Sequence, residues 1–188
     1  MLRTLHYRLK NPLLALGSHS RALHALSFNS GSSTLKVGLF DIDRAGTAGL
    51  KGTCLSTGIV DRVGKSDAVI KIDGGVVYEG DVKNHEEGLR ILVKALQGSR
   101  DIKVKVVGHR VVHGGSSFSA PVKVDNDVLS KIEEYSMLAP LHNPPAIKGL
   151  KAAQSLFPSA SHVAVFDTAF HSSMPASSYR YGEERIWS

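Results

Sequence analysis

The sequence predicts an α/β fold with at least some parallel strand pairing, and three observations carry that prediction. Short apolar runs of strand character, at 23–28, 35–40, 103–107 and 163–166, are bounded by Gly, Asn, Ser and Pro. Segments with apolar residues at helical spacing occupy 85–97, 127–135 and a stretch from 144 or 145 to 156. The two kinds alternate in the second half of the chain, as strands joined by helical crossovers do.

Leu23 to Phe28 forms one arm of a hairpin, and Leu35, Val37 and Leu39, alternating with Lys36, Gly38 and Phe40, form the other. The loop between them, Asn29, Ser30, Gly31, Ser32, Ser33 and Thr34, can turn backbone N–H groups and hydroxyls toward one anion, with Gly31 supplying positive φ. Lys36 shares the face of Thr34, because alternate strand residues point the same way. Taken alone the loop is also an ordinary Gly/Ser turn. Cys54, the sole cysteine, sits in a strand-like stretch and reads as a small buried hydrophobe. One cysteine allows no internal disulfide and no cysteine-based metal site, which fits a reducing compartment.

Gly64, Lys65 and Ser66 resemble the end of a nucleotide P-loop, but that motif needs a glycine where this chain has Ile59. The tripeptide reads as a turn before a strand over 67–72. Asn84 followed by Glu87 suggests a capping box, and Leu89, Leu92, Val93 and Leu96 continue the helix until Gly98. Lys103 to Val107 is a buried strand, and Gly108 bends the chain where it ends. A helix over Asp127–Tyr135 follows, then one that starts at Pro144 or Pro145 and runs through Ile147, Leu150 and Ala153 to Leu156. Val163 to Phe166 is the last clear strand.

A chain of 188 residues, 42% of them hydrophobic, can bury a core in one domain, and no apolar stretch is long enough to span a membrane. The net charge is +6, but Arg3, Arg8, Lys10 and Arg21 supply four of those charges within residues 1–28, which hold no acid. The body lacks a Lys/Arg cluster interleaved with aromatics, so no nucleic-acid partner is expected. The Arg-rich, acid-free N-terminus has the composition of a mitochondrial transit peptide, interrupted by Pro12; a disordered extension or a misplaced start codon fits it equally.

Asp167 follows its strand directly, and Arg110 and His113 lie at or beyond the end of theirs, where α/β folds bind ligands. His142 sits in a proline-bounded loop that Pro144 keeps from continuing as helix. A lone loop histidine is most often a surface residue, and Asp167 could equally cap a turn.

Four segments, NSGSSTLK at 29–36, GHRVVHGG at 108–115, APLHNPP at 139–145 and VFDTAFH at 165–171, in this order and spacing, resemble the acetate kinase family from about Leu26 to about Pro175. The resemblance implies the ribonuclease-H-like N-terminal domain of the superfamily of acetate and sugar kinases, heat-shock chaperones and actin, a mixed sheet with flanking helices. It implies reversible phosphoryl transfer from ATP to acetate, giving acetyl phosphate and ADP, with Mg²⁺ as cofactor. By residue, it implies that Asn29 helps hold the metal and phosphates, and that Ser32, Thr34 and Lys36 line the phosphate loop. Arg110 grips the acetate carboxylate or the transferring phosphoryl group, His142 donates to phosphoryl oxygens, and Asp167 is the active-site carboxylate. Val112 and Leu141 flank the methyl group. Ser30 stands where the family commonly has Ala.

The organisation implied is a basic extension at 1–24, an acetate kinase-like N-terminal domain at 25–175 and a divergent tail at 176–188. The family's second domain carries the adenosine site, a second catalytic arginine, a Mg²⁺-binding glutamate and most of the homodimer contact. None of it is recognisable here, so the chain is expected to be incomplete, inactive by itself and without the family's dimer. A non-catalytic fragment or interaction module, and a kinase for propionate or another short carboxylate, are the alternatives. The expected location is the cytoplasm, or the mitochondrion if the N-terminus is a transit peptide.

Overall fold

The computed structural model describes residues 23–44, 50–97 and 102–178. The N-terminal extension and Gly98, named above as a helix stop, lie outside them, as does most of the tail at 176–188. Eight strands and three helices follow in the order β1 (Leu23–Ser30), β2 (Thr34–Arg44), β3 (Leu50–Asp61), β4 (Ala68–Ile72), β5 (Gly75–Gly80), α1 (His85–Gln97), β6 (Val104–Val111), β7 (Val122–Lys123), α2 (Asn126–Glu134), α3 (Asn143–Leu156) and β8 (Ser161–Phe166). They form one mixed sheet of order β5-β4-β3-β2-β1-β6-β8-β7. From β1 to β5 each strand pairs antiparallel with the next, whereas β6 lies parallel to both β1 and β8. The expected α/β architecture is present, with its parallel strands confined to β1, β6 and β8.

Alternation decides which face is buried. Leu26 and Phe28, Leu35, Val37 and Leu39, Val60, Val107, Val111, Ala164 and Phe166 all point to the side on which α1 and α3 pack. Leu89, Leu92 and Leu96 of α1 close this core, and each fully buried leucine contributes roughly 1.5–3 kcal/mol. Helix α3 approaches β1 closely because Gly149 has no side chain; a Cβ there would meet Ser30 Cβ at 2.6 Å and the Phe28 ring at 2.9 Å. That approach sets the start of α3 beside the β1–β2 turn.

The capping of α1 is as expected on one side only. Asn84 Oδ1 accepts the Glu87 N–H at 2.9 Å, but Glu87 Oε2 reaches back to the N–H of Lys83, at 2.8 Å. Helix α2 starts at Asn126, where Asp125 Oδ1 accepts the Val128 N–H, and a 3₁₀ turn, Tyr135–Met137, prolongs it.

Three expectations fail. Gly108 does not end its strand, because it lies mid-sheet, paired with Ser27 on one side and Val163 on the other, and β6 runs on to Val111. Cys54 is exposed, not buried. A bulge sets Leu39 opposite Ser56 but Phe40 opposite Cys54, so Leu55 is the extra residue and Cys54 turns to the face away from the helices. Gly31 is not among the glycines of positive φ; a Cβ there would lie 2.9 Å from Thr34 Oγ1, so smallness, not backbone freedom, suits glycine to the turn. No helix among the described residues is long and apolar enough to cross a membrane.

Candidate active site

The parallel strands β1, β6 and β8 end side by side, and their carboxyl ends carry Asn29, Arg110 and Asp167. Arg110, the penultimate residue of β6, projects from the face opposite the helices because its neighbours His109 and Val111 point into the core. Its guanidinium meets Asp167, the first residue after β8. Nε lies 3.0 and 3.1 Å from the two carboxylate oxygens, and Nη2 lies 2.6 Å from Oδ2. Nη1 reaches Asn29 Oδ1 only at 3.4 Å. The bond to Asp167 raises the Arg110 pKa above its ordinary value, and burial opposes that. Both side chains are more than two-fifths exposed, so the pair itself adds only about 0–1 kcal/mol of stability. Its effect is to orient the fork.

On β2, register pairs Lys36 with Asn29, which sets the ammonium-bearing side chain next to this cluster. The turn that joins the strands is closed by Gly31 N–H donating to Thr34 O at 2.8 Å. Helix α3 presents His142 as its N-cap residue, with Pro144 and Pro145 in the first turn. The imidazole makes no capping bond, so it is not spent on the helix.

These parts surround a cavity of about 290 Å³. Its wall contains Asn29, Ser32, Thr34, Lys36, Arg110, Val112, Leu141 and His142, together with Ser30, Gly31 and Ala146. Every candidate named from the sequence is therefore in the wall, except Asp167, which Arg110 holds, and His113. The His113 ring turns back on its own loop, where Nδ1 accepts the Gly115 N–H at 2.9 Å. A trough of about 600 Å³ continues along the same sheet face past Gly38, Phe40, Ile59 and Val165; Asn29, Lys36 and Arg110 border both spaces. No group of three His, Cys, Asp or Glu among the described residues is placed to hold a metal.

Several residues that fix this geometry are not among the candidates named from the sequence. Asn143 is fully buried; its Oδ1 accepts the His113 N–H at 3.1 Å and its Nδ2 donates to His113 O at 3.0 Å. The Gly114 N–H donates to Thr168 Oγ1 at 3.1 Å. These bonds tie together the loop after Val112, the start of α3 and the segment that carries Asp167. On the helix side, His109 Nε2 and His162 Nδ1 are 3.0 Å apart, and burial, then His162, pushes the His109 pKa down to about 3. A polar residue at the edge of an apolar run could have hinted at Asn143, but only the backbone across from it gives it a task.

Comparisons with known proteins agree on one family. The profile described as the acetokinase family matches residues 24–188, a span that includes the tail set apart above. The acetate kinase of Fervidobacterium nodosum is 42% identical over 168 residues, which cover 85% of this chain and 40% of that protein. The crystal structure of Porphyromonas gingivalis acetate kinase is similar at a TM-score of 0.75 and 35% identity, covering 86% of this chain and 41% of that one. A propionate kinase from Francisella tularensis is similar at 0.71 and 32%, covering 82% and 39%. The chain spans about two fifths of the length of each of these relatives.

Proposed function

This chain belongs to the acetokinase family, and from that premise we propose that it carries the anion-binding side of a site for reversible phosphoryl transfer between ATP and acetate. The observation that supports this reading is the gathering of eight residues from three separated segments around one cavity, with the fourth segment's Asp167 held on Arg110. Acetate is ionised at neutral pH and needs no proton removed, so the obstacle is bringing one anion against another. Lys36 and Arg110 oppose that repulsion. Arg110 offers a planar fork that matches carboxylate or phosphoryl oxygens, and an aimed donor of this kind is typically worth about 3–4 kcal/mol in a transition state. Its Nη1 arm, bound loosely to Asn29, has capacity left for a ligand.

Ser32 and Thr34 receive phosphate oxygens in this reading, and the uncommitted ring of His142 donates to the transferring group. Val112 and Leu141 border the methyl group. Asp167 and Asn29 are the residues that would hold a Mg²⁺ ion, through a carboxylate and an amide oxygen that both now accept from the Arg110 guanidinium, the remaining positions falling to water and phosphate. Bound there, Mg²⁺ would neutralise charge between the phosphates.

The test is a chimera in which residues 1–175 are continued by the corresponding remainder of the Fervidobacterium nodosum protein. With acetate, ATP and Mg²⁺ it is expected to form acetyl phosphate, trapped as the hydroxamate. The 188-residue chain alone is expected to bind anions without turnover, because its cavity is compensated by Lys36 and Arg110 only. A folded, ATP-binding chimera that forms no acyl phosphate overturns the reading and leaves an interaction module. Similarity to a propionate kinase supports a second acceptor. The ratio of kcat/KM for acetate and propionate decides, one methylene being worth about 1–3 kcal/mol.

A further inference from the structure

The hairpin tip at the cavity is braced from behind at two carbonyls. His85 Nε2 lies 2.7 Å from Gly31 O, and the Val63 N–H donates to Ser33 O at 2.8 Å. A carbonyl only accepts, so His85 donates through Nε2–H. In a planar trans peptide the C=O of one residue and the N–H of the next point in opposite directions. Holding the Gly31 carbonyl toward α1 therefore turns the Ser32 N–H away from α1, and Ser32 is one of the residues that wall the cavity. An unbraced Gly31–Ser32 peptide could rotate and present oxygen to an anion instead.

We propose that His85 is a positioning residue for the anion loop: its hydrogen bond to Gly31 O aims the Ser32 N–H at the phosphate group bound there. His85 suits the task because it is the first residue of α1 and half-buried, in a first turn fixed by Asn84 and Glu87. The turn at Gly64, rejected as a P-loop, supplies the second brace, since it carries the Val63 N–H that holds Ser33 O. The proposal rests on the reading of 29–36 as the phosphate site.

Inorganic phosphate titrated into the full 188-residue chain, followed through the amide resonances of Ser32 and Thr34, tests it, with thermal unfolding measured alongside. His85→Leu is expected to weaken phosphate binding about five- to tenfold in the folded protein, the loss of one aimed donor to a charged ligand. It should also displace the Ser32 amide resonance before phosphate is added. His85→Gln, whose amide N–H can reach the same carbonyl, is expected to bind within about twofold of the parent. If His85→Leu does not fold, His85→Asn replaces it, one bond too short to make the contact. A folded Leu or Asn variant that binds phosphate like the parent overturns the proposal, even if its stability has dropped. Absence of any shift in the parent protein overturns the phosphate site itself and the role of His85 with it.

Discussion

In the parallel half of the sheet, β1, β6 and β8 bring Asn29, Arg110 and Asp167 together as side chains, with Arg110 bonded to the other two. The antiparallel half brings backbone: the β1–β2 turn, whose carbonyls are held by His85 and Val63 while Ser32 and Ser33 stay exposed. Recognition by a charged fork depends on the identity of one residue. Recognition by a loop depends on what holds the loop, and tolerates changes in the side chains that decorate it.

The largest test of that contrast lies in the chimera. Arg110→Ala is expected to lower kcat by about 10²–10³, as does loss of one preorganised electrostatic contact. Ser33→Ala should leave kcat/KM within about twofold, because only the Ser33 carbonyl is engaged, and exposed substitutions of this kind usually stay within about 0.5 kcal/mol. Equal losses at the two positions in steady-state assays would erase the distinction.

Asn143 extends the comparison to the supports of the parallel half. Asn143→Ala leaves the N–H and C=O of His113 without their partner, and an unmet polar group in a buried site costs about 1–3 kcal/mol. Urea denaturation of the isolated chain should register a loss in that range. A loss below about 0.5 kcal/mol would mean that water replaces the amide.

A smaller effect follows from His109. It packs beside Phe28 of β1 and His162 of β8, whereas among the described residues the buried ones of β2, β3 and β4 include no titratable group. The folded protein holds its pKa at about 3 against 6.5 for an ordinary histidine, so the unfolded chain takes up the proton first. Stability from this group is complete above about pH 6.5 and is lost as pH falls toward 3, by at most about 1.4 kcal/mol per pH unit. Amide protection factors, which divide out the pH dependence of intrinsic exchange, should accordingly fall in β6 and β8 before β2 and β3 between pH 6.5 and 5. His109→Leu should flatten that dependence; if it does not, the loss arises elsewhere.

How much was legible in the sequence differs between the same two halves. The β1–β2 hairpin, α1, α3 and β8 follow local rules of alternation, capping and proline placement, and the structure has them within a residue or two, except that β2 runs four residues past the expected arm, to Arg44. The short strands β5 and β7 escaped, since Gly75–Gly80 is rich in glycine and Val122–Lys123 is only two residues long. Gly108 and Cys54 were misjudged because neighbouring strands, and not local residue preference, decide where a strand ends and which way a bulge turns it. In the site, the residues that present charge are visible as motifs. The tasks of Asn143, which lies inside one of those motifs, and of His85, which lies in none, are not visible there, because each acts on a peptide group 30 or 54 residues distant in the chain.

The bulge at Leu55 has an optical use. Phe40 walls the trough beside the site, and Cys54 is its cross-strand partner, so the chain's single thiol stands exposed on that same face. A maleimide dye attached there would be unique without any cysteine being engineered in or out, and it would leave the helix-side core untouched. Its emission would report when anything settles against the open face of the sheet, independently of turnover.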